Sequence, residues 1–293
     1  MGSKNFKYLD ELIHSGVKEI VLDSDIVLSD GWESEYLEGI KLDIGNLVID
    51  GGGHSIDACG KTRIFHCTGK NITIKNIVLE NGFSKEDGGA IHNEKEGILT
   101  IKSTTLSGNL MKGSIFSAGS IKSYGGAISN FGKLTLKDSI LTDNKAEVEH
   151  HTGASSTCEG GAIYNTEEMK ISSCEFKNNA SERGGAIYTG GTCKIDKSLF
   201  ENNNSEFNGG AISGTCTINN SELINNCSGL NGGAIYGAVT TKNTKMTGNT
   251  AEWGGGAICS YDEEYIKLKN CEIHDNEPNN IQIQNGFKST VLS

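Results

Sequence analysis

The chain has 293 residues, of which 39 are glycine and one is proline, and it carries a formal net charge of −11. Nucleic acid is not an expected partner, because phosphate binding needs clustered cations and Arg63 and Arg183 are the only arginines; a sugar, a protein or a cation suits this charge better. No apolar run reaches the ~20 residues that span a bilayer, so direct membrane insertion is not expected either.

Along the chain, the first expected element is a short amphipathic helix. Phe6, Leu9, Leu12 and Ile13 share one face at helical spacing before Gly16. Residues 1–17 are read as a cap that covers the open core and unpaired strand edge of whatever follows. Strands are expected around 18–28 and 38–58, and 63–82 reads as one full coil of a repeat. From residue 88 the tetrapeptide Gly-Gly-Ala-Ile occurs seven times, starting at Gly88, Gly125, Gly160, Gly184, Gly209, Gly232 and Gly255. The last five copies begin 24, 25, 23 and 23 residues apart. Periods in the twenties mark solenoids, whose units bury their apolar faces only by stacking on each other.

Within each unit an alternating run such as Cys193-Lys-Ile195 shows strand periodicity, and no segment of the array keeps a 3.6-residue period. A small residue then precedes a large apolar one by two positions, as in Ser198/Phe200 and Ser221/Leu223. An asparagine follows three residues after the large one: Asn109, Asn144, Asn179, Asn203, Asn226, Asn249 and Asn276. These asparagines are expected to turn a corner in the left-handed conformation and to bond amide to amide from coil to coil. Gly-Gly marks a second corner, and the repeat isoleucines, Ile91 through Ile258, are expected to point inward as one file. The expected fold is all-β: a single-stranded parallel β-helix over residues 18–285, about ten coils and on the order of 50 Å long at ~4.8 Å per coil. Residues 286–293 are expected to fray.

Gly-Gly-Ala-Ile together with Phe176-Lys-Asn-Asn179 and Phe200-Glu-Asn-Asn203 resembles the repeats of chlamydial polymorphic outer-membrane proteins. It also resembles the adhesin-like β-helix proteins of archaea and bacteria, which share a pectate-lyase-like architecture. The stretch from Leu47 to Ile56, followed by Gly69 to Ile77, is similar to the opening coils of those adhesin-like proteins. The resemblance covers roughly residues 18–285 and implies a right-handed coil and a surface or extracellular location. It brings no catalytic residues with it. The chain shows neither the apolar core of a signal peptide nor an anchor, which reads either as an excised surface passenger or as a cytoplasmic cousin.

Departures from the repeat are the candidate binding places. Two consecutive units need sixteen positions from the ladder asparagine to Gly-Gly, where later units need five or six, so the segments 110–124 and 145–159 leave one corner side by side. Insertions in solenoids collect on the binding face. The first holds Phe116 and Tyr124, and the second holds Glu147, Glu149, His150, His151 and Cys158. All five are candidate ligands for a soft divalent metal, His150, His151 and Glu147 foremost, set against a plainly solvated polar loop.

The residue after each repeat isoleucine should face outward, which lines up Tyr164, Tyr188 and Tyr236 with His92, Ser129, Ser213 and Cys259. Phe207, Leu230 and Trp253 align just before Gly-Gly as an apolar ridge. Aromatic rows of this kind grip sugar rings or a protein face, or merely shield the backbone. Nine cysteines are read first as small core residues, with Cys193 and Cys216 close enough in register for a bridge in an oxidising compartment.

Glycoside hydrolysis needs two carboxylates about 5–9.5 Å apart, and the outward files beside the central strands carry one aspartate, Asp196, among lysines, threonines and amides. The sequence is therefore read as a non-catalytic rod that binds or displays, its partner a glycan or a protein, with no cofactor expected. The alternative is a polysaccharide-active lyase, hydrolase or epimerase with its site beside segments 110–124 and 145–159.

Overall fold

The computed structural model describes residues 4–114, 121–149, 156–285 and 288–292. One coil shows the plan of all. Ile163–Asn165, Glu168–Ser172, Glu175–Lys177 and Ala180–Arg183 are four short strands separated by corners, after which the chain returns to place Ile187 over Ile163. The first two strands of every coil build one continuous wide sheet, the third builds an eleven-stranded sheet, and the fourth builds a nine-stranded sheet. The result is a parallel β-solenoid of about eleven turns, one more than expected.

Stacking of like on like gives the core its files. Ile91, Ile128, Ile163, Ile187, Ile212, Ile235 and Ile258 pair in register and are fully buried. Ile40 and Phe65 extend the file before the repeats begin, and Ile281 extends it after they end. Each such side chain withdrawn from water contributes about 1.5–3 kcal/mol, so a file of identical residues makes every coil depend on its neighbours.

The asparagine ladder is present. From Asn109 to Asn249 each ladder side-chain Nδ2 donates to the Oδ1 of the next ladder asparagine, ending on Asn276, at 2.9–3.0 Å. The same Oδ1 accepts from the backbone N–H of the previous ladder asparagine. The left-handed residue, however, is not the ladder asparagine. It is the residue just before it: Gly108, Asp143, Asn178, Asn202, Asn225, Gly248 and Asp275 all have φ between 54° and 68°. The division is physical, since the residue that turns the corner points outward while the following amide turns in to satisfy buried backbone groups. A second, shorter amide ladder was not anticipated from the sequence. Asn93 donates to Asn130, Asn130 to Asn165 and Asn165 to the Thr189 hydroxyl, all buried, at the corner between the two strands of the wide sheet.

The Gly-Gly corner behaves as expected. The first glycine of each pair has positive φ, and a Cβ on Gly185 would overlap the carbonyl oxygen of Gly210 in the next coil.

The N-terminal end is capped by a helix. Helix Phe6–His14 starts at Asn5, whose side chain accepts from the Tyr8 N–H, and buries Phe6, Leu9 and Ile13 on the first coil. The chain just before it pairs Lys4 and Asn5 with Ile26 and Val27, so strand and helix together blunt this edge. At the far end, where fraying is expected, Lys288–Leu292 folds back antiparallel onto Ile281–Asn285. All nine cysteines are free; Cys193 and Cys216 are in register and buried, and burial pushes the Cys216 thiol up to about 12. No helix among the described residues is long and apolar enough to cross a membrane.

Candidate functional site: the groove beside the Gly-Gly corner

Two outward files run along the axis on either side of the Gly-Gly corner. One comprises the residues after the inward isoleucine position: His66, His92, Ser129, Tyr164, Tyr188, Ser213, Tyr236 and Cys259. The other comprises the residues just before Gly-Gly: Asp87, Tyr124, Glu159, Arg183, Asn208, Asn231 and Gly254. Because the corner between them is made of residues without side chains, the two files face each other across a groove.

The middle of the groove is filled by its own rings. Tyr124 stacks on Tyr164 with centroids 4.0 Å apart, Tyr164 stacks on Tyr188 at 5.6 Å and 7°, and Phe131 packs beside both Tyr124 and Tyr164. Tyr164 is consequently buried, Ser129 and Cys259 are fully covered, and Tyr188 and Tyr236 are only partly open. This corrects the expectation of an exposed column; Tyr164 is covered by Tyr124, which the first insertion delivers over it, and Tyr236 is met by Tyr261.

Beyond Tyr188 the filling stops. Ser213 is the small member of the file between Tyr188 and Tyr236, which are therefore ~9.6 Å apart, twice the coil spacing. Next to it Gly214 and Gly237 have φ of 127° and 131° and lie too close to the preceding coil to carry a side chain. The outcome is a cavity of about 380 Å³ bounded by Arg183, Tyr188, Asn208, Tyr236, Tyr261 and Tyr265, with Ser213 and the two glycines also in its lining. The Tyr236 hydroxyl donates to that of Tyr261. Burial, reinforced by this bond, pushes the Tyr236 phenol well above its ordinary range, so it stays a neutral donor and acceptor. Arg183 faces Glu159 at 3.7 Å, and its Nε is buried without a hydrogen-bond partner among the described residues.

At the other end of the groove the files bring His66, His92, Glu94 and Asp87 together. Glu94 Oε1 is 3.0 Å from His66 Nε2 and 3.5 Å from His92 Nε2. On the other side of the ring, His92 Nδ1 lies 2.9 Å from Ser129 Oγ and 3.6 Å from Asp87 Oδ2. Burial, with the Arg63 charge and His66 nearby, pushes His92 down to about 4, so its ring is neutral near pH 7. The His66 hydrogen bond holds Glu94 below the usual carboxylate range, whereas burial raises Asp87 to about 6.

The two insertions lie side by side, as expected: Leu110–Ser114 pairs with Lys145–Glu149, and Ile121–Tyr124 pairs with Ser156–Glu159. Phe116, His150 and His151 lie outside the described residues, as does the side chain of Glu149. Glu147 lies 3.6 Å from the Lys112 ammonium and 2.5 Å from that of Lys145, and although burial opposes ionisation the two lysines hold its carboxylate below its ordinary range. Cys158 is a fully buried member of a small apolar cluster with Ala146 and Val148.

Phe207, Leu230 and Trp253 lie on successive coils, with Leu230 half-buried. Leu230 donates its N–H to Phe207 O and Trp253 donates to Leu230 O, and Phe207 and Trp253 are 37% and 66% exposed. What the sequence did not indicate were Tyr261 and Tyr265 in the cavity and His66 beside His92. His66 escaped because its coil lacks Gly-Gly-Ala-Ile, although it stands one residue after the inward Phe65 as His92 stands after Ile91.

Residues 6–111 match a family model described as a pectate lyase-like adhesive domain, and residues 173–190 and 243–261 match the Chlamydia polymorphic membrane protein repeat. No curated protein matches the chain. Among solved structures, the SRRP of L. reuteri 53608 is similar at 15% identity, covering 93% of this chain and 96% of that one with a TM-score of 0.41. The parallel β-solenoid is thus similar, over these segments, to a pectate lyase-like adhesive domain and to polymorphic membrane protein repeats, and both matched families suggest a surface location.

Proposed function

We propose that the chain is a non-catalytic, surface-exposed adhesin-like rod that binds an oligosaccharide in the cavity between Tyr188 and Tyr236. The observation that carries this reading is the composition of the cavity wall. Aromatic side chains come from one file, Tyr188 and Tyr236, and from the turn that carries Tyr261 and Tyr265, and hydrogen-bonding groups on Arg183, Asn208 and Ser213 line the same cavity. A sugar ring has apolar C–H faces and a hydroxyl edge, so it needs both kinds of surface at once. The ~9.6 Å between Tyr188 and Tyr236 leaves room for one ring between them. A net charge of −11 repels a polyanion, so a neutral or sparsely charged glycan is favoured over an acidic polysaccharide.

Binding is tested by a glycan array followed by calorimetry on the best oligosaccharide. Tyr236→Ala removes an aromatic wall of the cavity and is expected to weaken binding by ~2 kcal/mol, about thirtyfold. Trp253→Ala, on the ridge outside the cavity, is expected to leave affinity unchanged. Wild-type protein that retains no glycan, or a Tyr236→Ala variant that binds as well as wild type, would sink the reading. Release of shortened or unsaturated sugar would replace it with an enzyme.

A further inference from the structure

We propose that His66, His92 and Glu94 form a binding site for a divalent transition-metal ion of borderline softness, with zinc the best fit. The three residues are independent of the tyrosine cavity and of the second insertion.

The donor set comes first. Two imidazoles and one carboxylate are a ligand combination that zinc favours, and three protein ligands leave a fourth position open. Spacing agrees with this chemistry. Metal–ligand bonds of about 2.0–2.2 Å at tetrahedral angles place ligand atoms ~3.3–3.6 Å apart. Glu94 Oε1 stands 3.0 Å from one histidine Nε2 and 3.5 Å from the other, and all three donor atoms fall within 4.8 Å of one another. Small side-chain rotations therefore complete the site without moving the backbone.

Position is fixed by the solenoid. His66 and His92 are direct partners on adjacent strands of the wide sheet, so coil stacking sets their separation. Their rings meet edge to face at 5.0 Å, and Phe131 flanks His92 at 5.4 Å. Glu94 lies just past the corner of the same coil as His92, with its side chain 45% exposed, which gives an ion a path in from solvent.

The outer shell is also in place. A metal-bound histidine holds its other ring nitrogen to a carboxylate, carbonyl or hydroxyl, which fixes the tautomer. His92 presents Nε2 to Glu94, while Nδ1 faces Ser129 Oγ at 2.9 Å and Asp87 Oδ2 at 3.6 Å. Asp87 is in turn held in place by its neighbours, since its backbone carbonyl accepts from Arg63 Nε and Nη2.

The test is calorimetric titration of the chelator-treated full chain with zinc chloride, paired with visible absorption of the cobalt(II) form. One zinc per chain is expected, and four-coordinate cobalt bands should disappear when zinc is added. His92→Ala and, separately, the near-isosteric Glu94→Gln should each weaken zinc about 100-fold or more. Asp87→Asn should weaken it by about 10–100-fold, as loss of an outer-shell partner does. Thermal melts of each metal-free variant establish that it is folded before titration. The proposal is overturned by a wild-type chain that takes up no zinc, or by uptake that survives both His92→Ala and Glu94→Gln in folded protein.

Discussion

Asn179 and Asn202 are the same residue type at the same corner one coil apart, yet they do different work. Asn179 is buried, donates to Asn203 Oδ1 and Leu141 O, and accepts from both the side chain and the backbone of Asn144. Asn202 is exposed with φ of 56° and turns the chain. Removing the first amide leaves several buried groups unpaired, each costing about 1–3 kcal/mol. Asn179→Ala is therefore expected to lower the unfolding free energy by about 3–5 kcal/mol in denaturant melts, whereas Asn202→Gly should stay within ~1 kcal/mol.

The same contrast between buried and titratable side chains gives a pH dependence. Asp87 has its folded pKa raised to about 6 by burial, so it holds a proton in the native state that the unfolded chain has already lost. Its contribution to stability is present below its unfolded value near 4 and is lost as pH rises through 6. Asp87→Asn removes that loss. In metal-free protein its stability relative to wild type should rise by ~1–3 kcal/mol between pH 4 and pH 6.5, measured by urea melts at each pH. A relative stability that is flat or falling across this range would show that the carboxyl is already ionised in the folded chain.

At the scale of elements, the helix Phe6–His14 is the piece that the repeats cannot replace. Coils stack on both neighbours, but the first coil has none on one side, and the helix lays Phe6, Leu9 and Ile13 there. Phe6 also meets Tyr36, whose hydroxyl donates to Asp10 of the helix, so the 29–39 loop clamps the cap from outside. Deleting residues 1–17 should bare a strand edge and an apolar core end, producing concentration-dependent self-association by light scattering; a monomeric, equally stable truncation would show the cap to be dispensable. The insertions are elements of a different kind. They extend the nine-stranded sheet beyond the coil and share a small cluster of Ala146, Val148 and Cys158. Their bearing on the groove is through Tyr124, the last residue of one arm, which lands on Tyr164.

At the scale of the whole molecule, the period of Gly-Gly-Ala-Ile determines the architecture. Ile91 to Ile258 and Asn109 to Asn276 were legible as files because a solenoid converts sequence spacing into spatial stacking, and the backbone ladder enforces the register. The unit of that legibility is the repeat, so features that follow it were readable and features that depart from it were not. His66 belongs to a coil without the motif, and Tyr261 and Tyr265 belong to a turn that no other coil shares. Whether an outward side chain is open or covered also lay beyond the pattern. The sequence by itself settled which residues share a file and which repeat isoleucines point in, because those are set by local period and backbone hydrogen bonding, whereas the residue that turns the asparagine corner is the one before the ladder amide. Only the tertiary structure decided that Tyr164 is covered, that a cavity opens where Ser213 and two glycines leave the file unfilled, and that two histidines meet Glu94. Those outcomes depend on side chains from different coils and different corners reaching the same space, and no spacing along the chain encodes that distance.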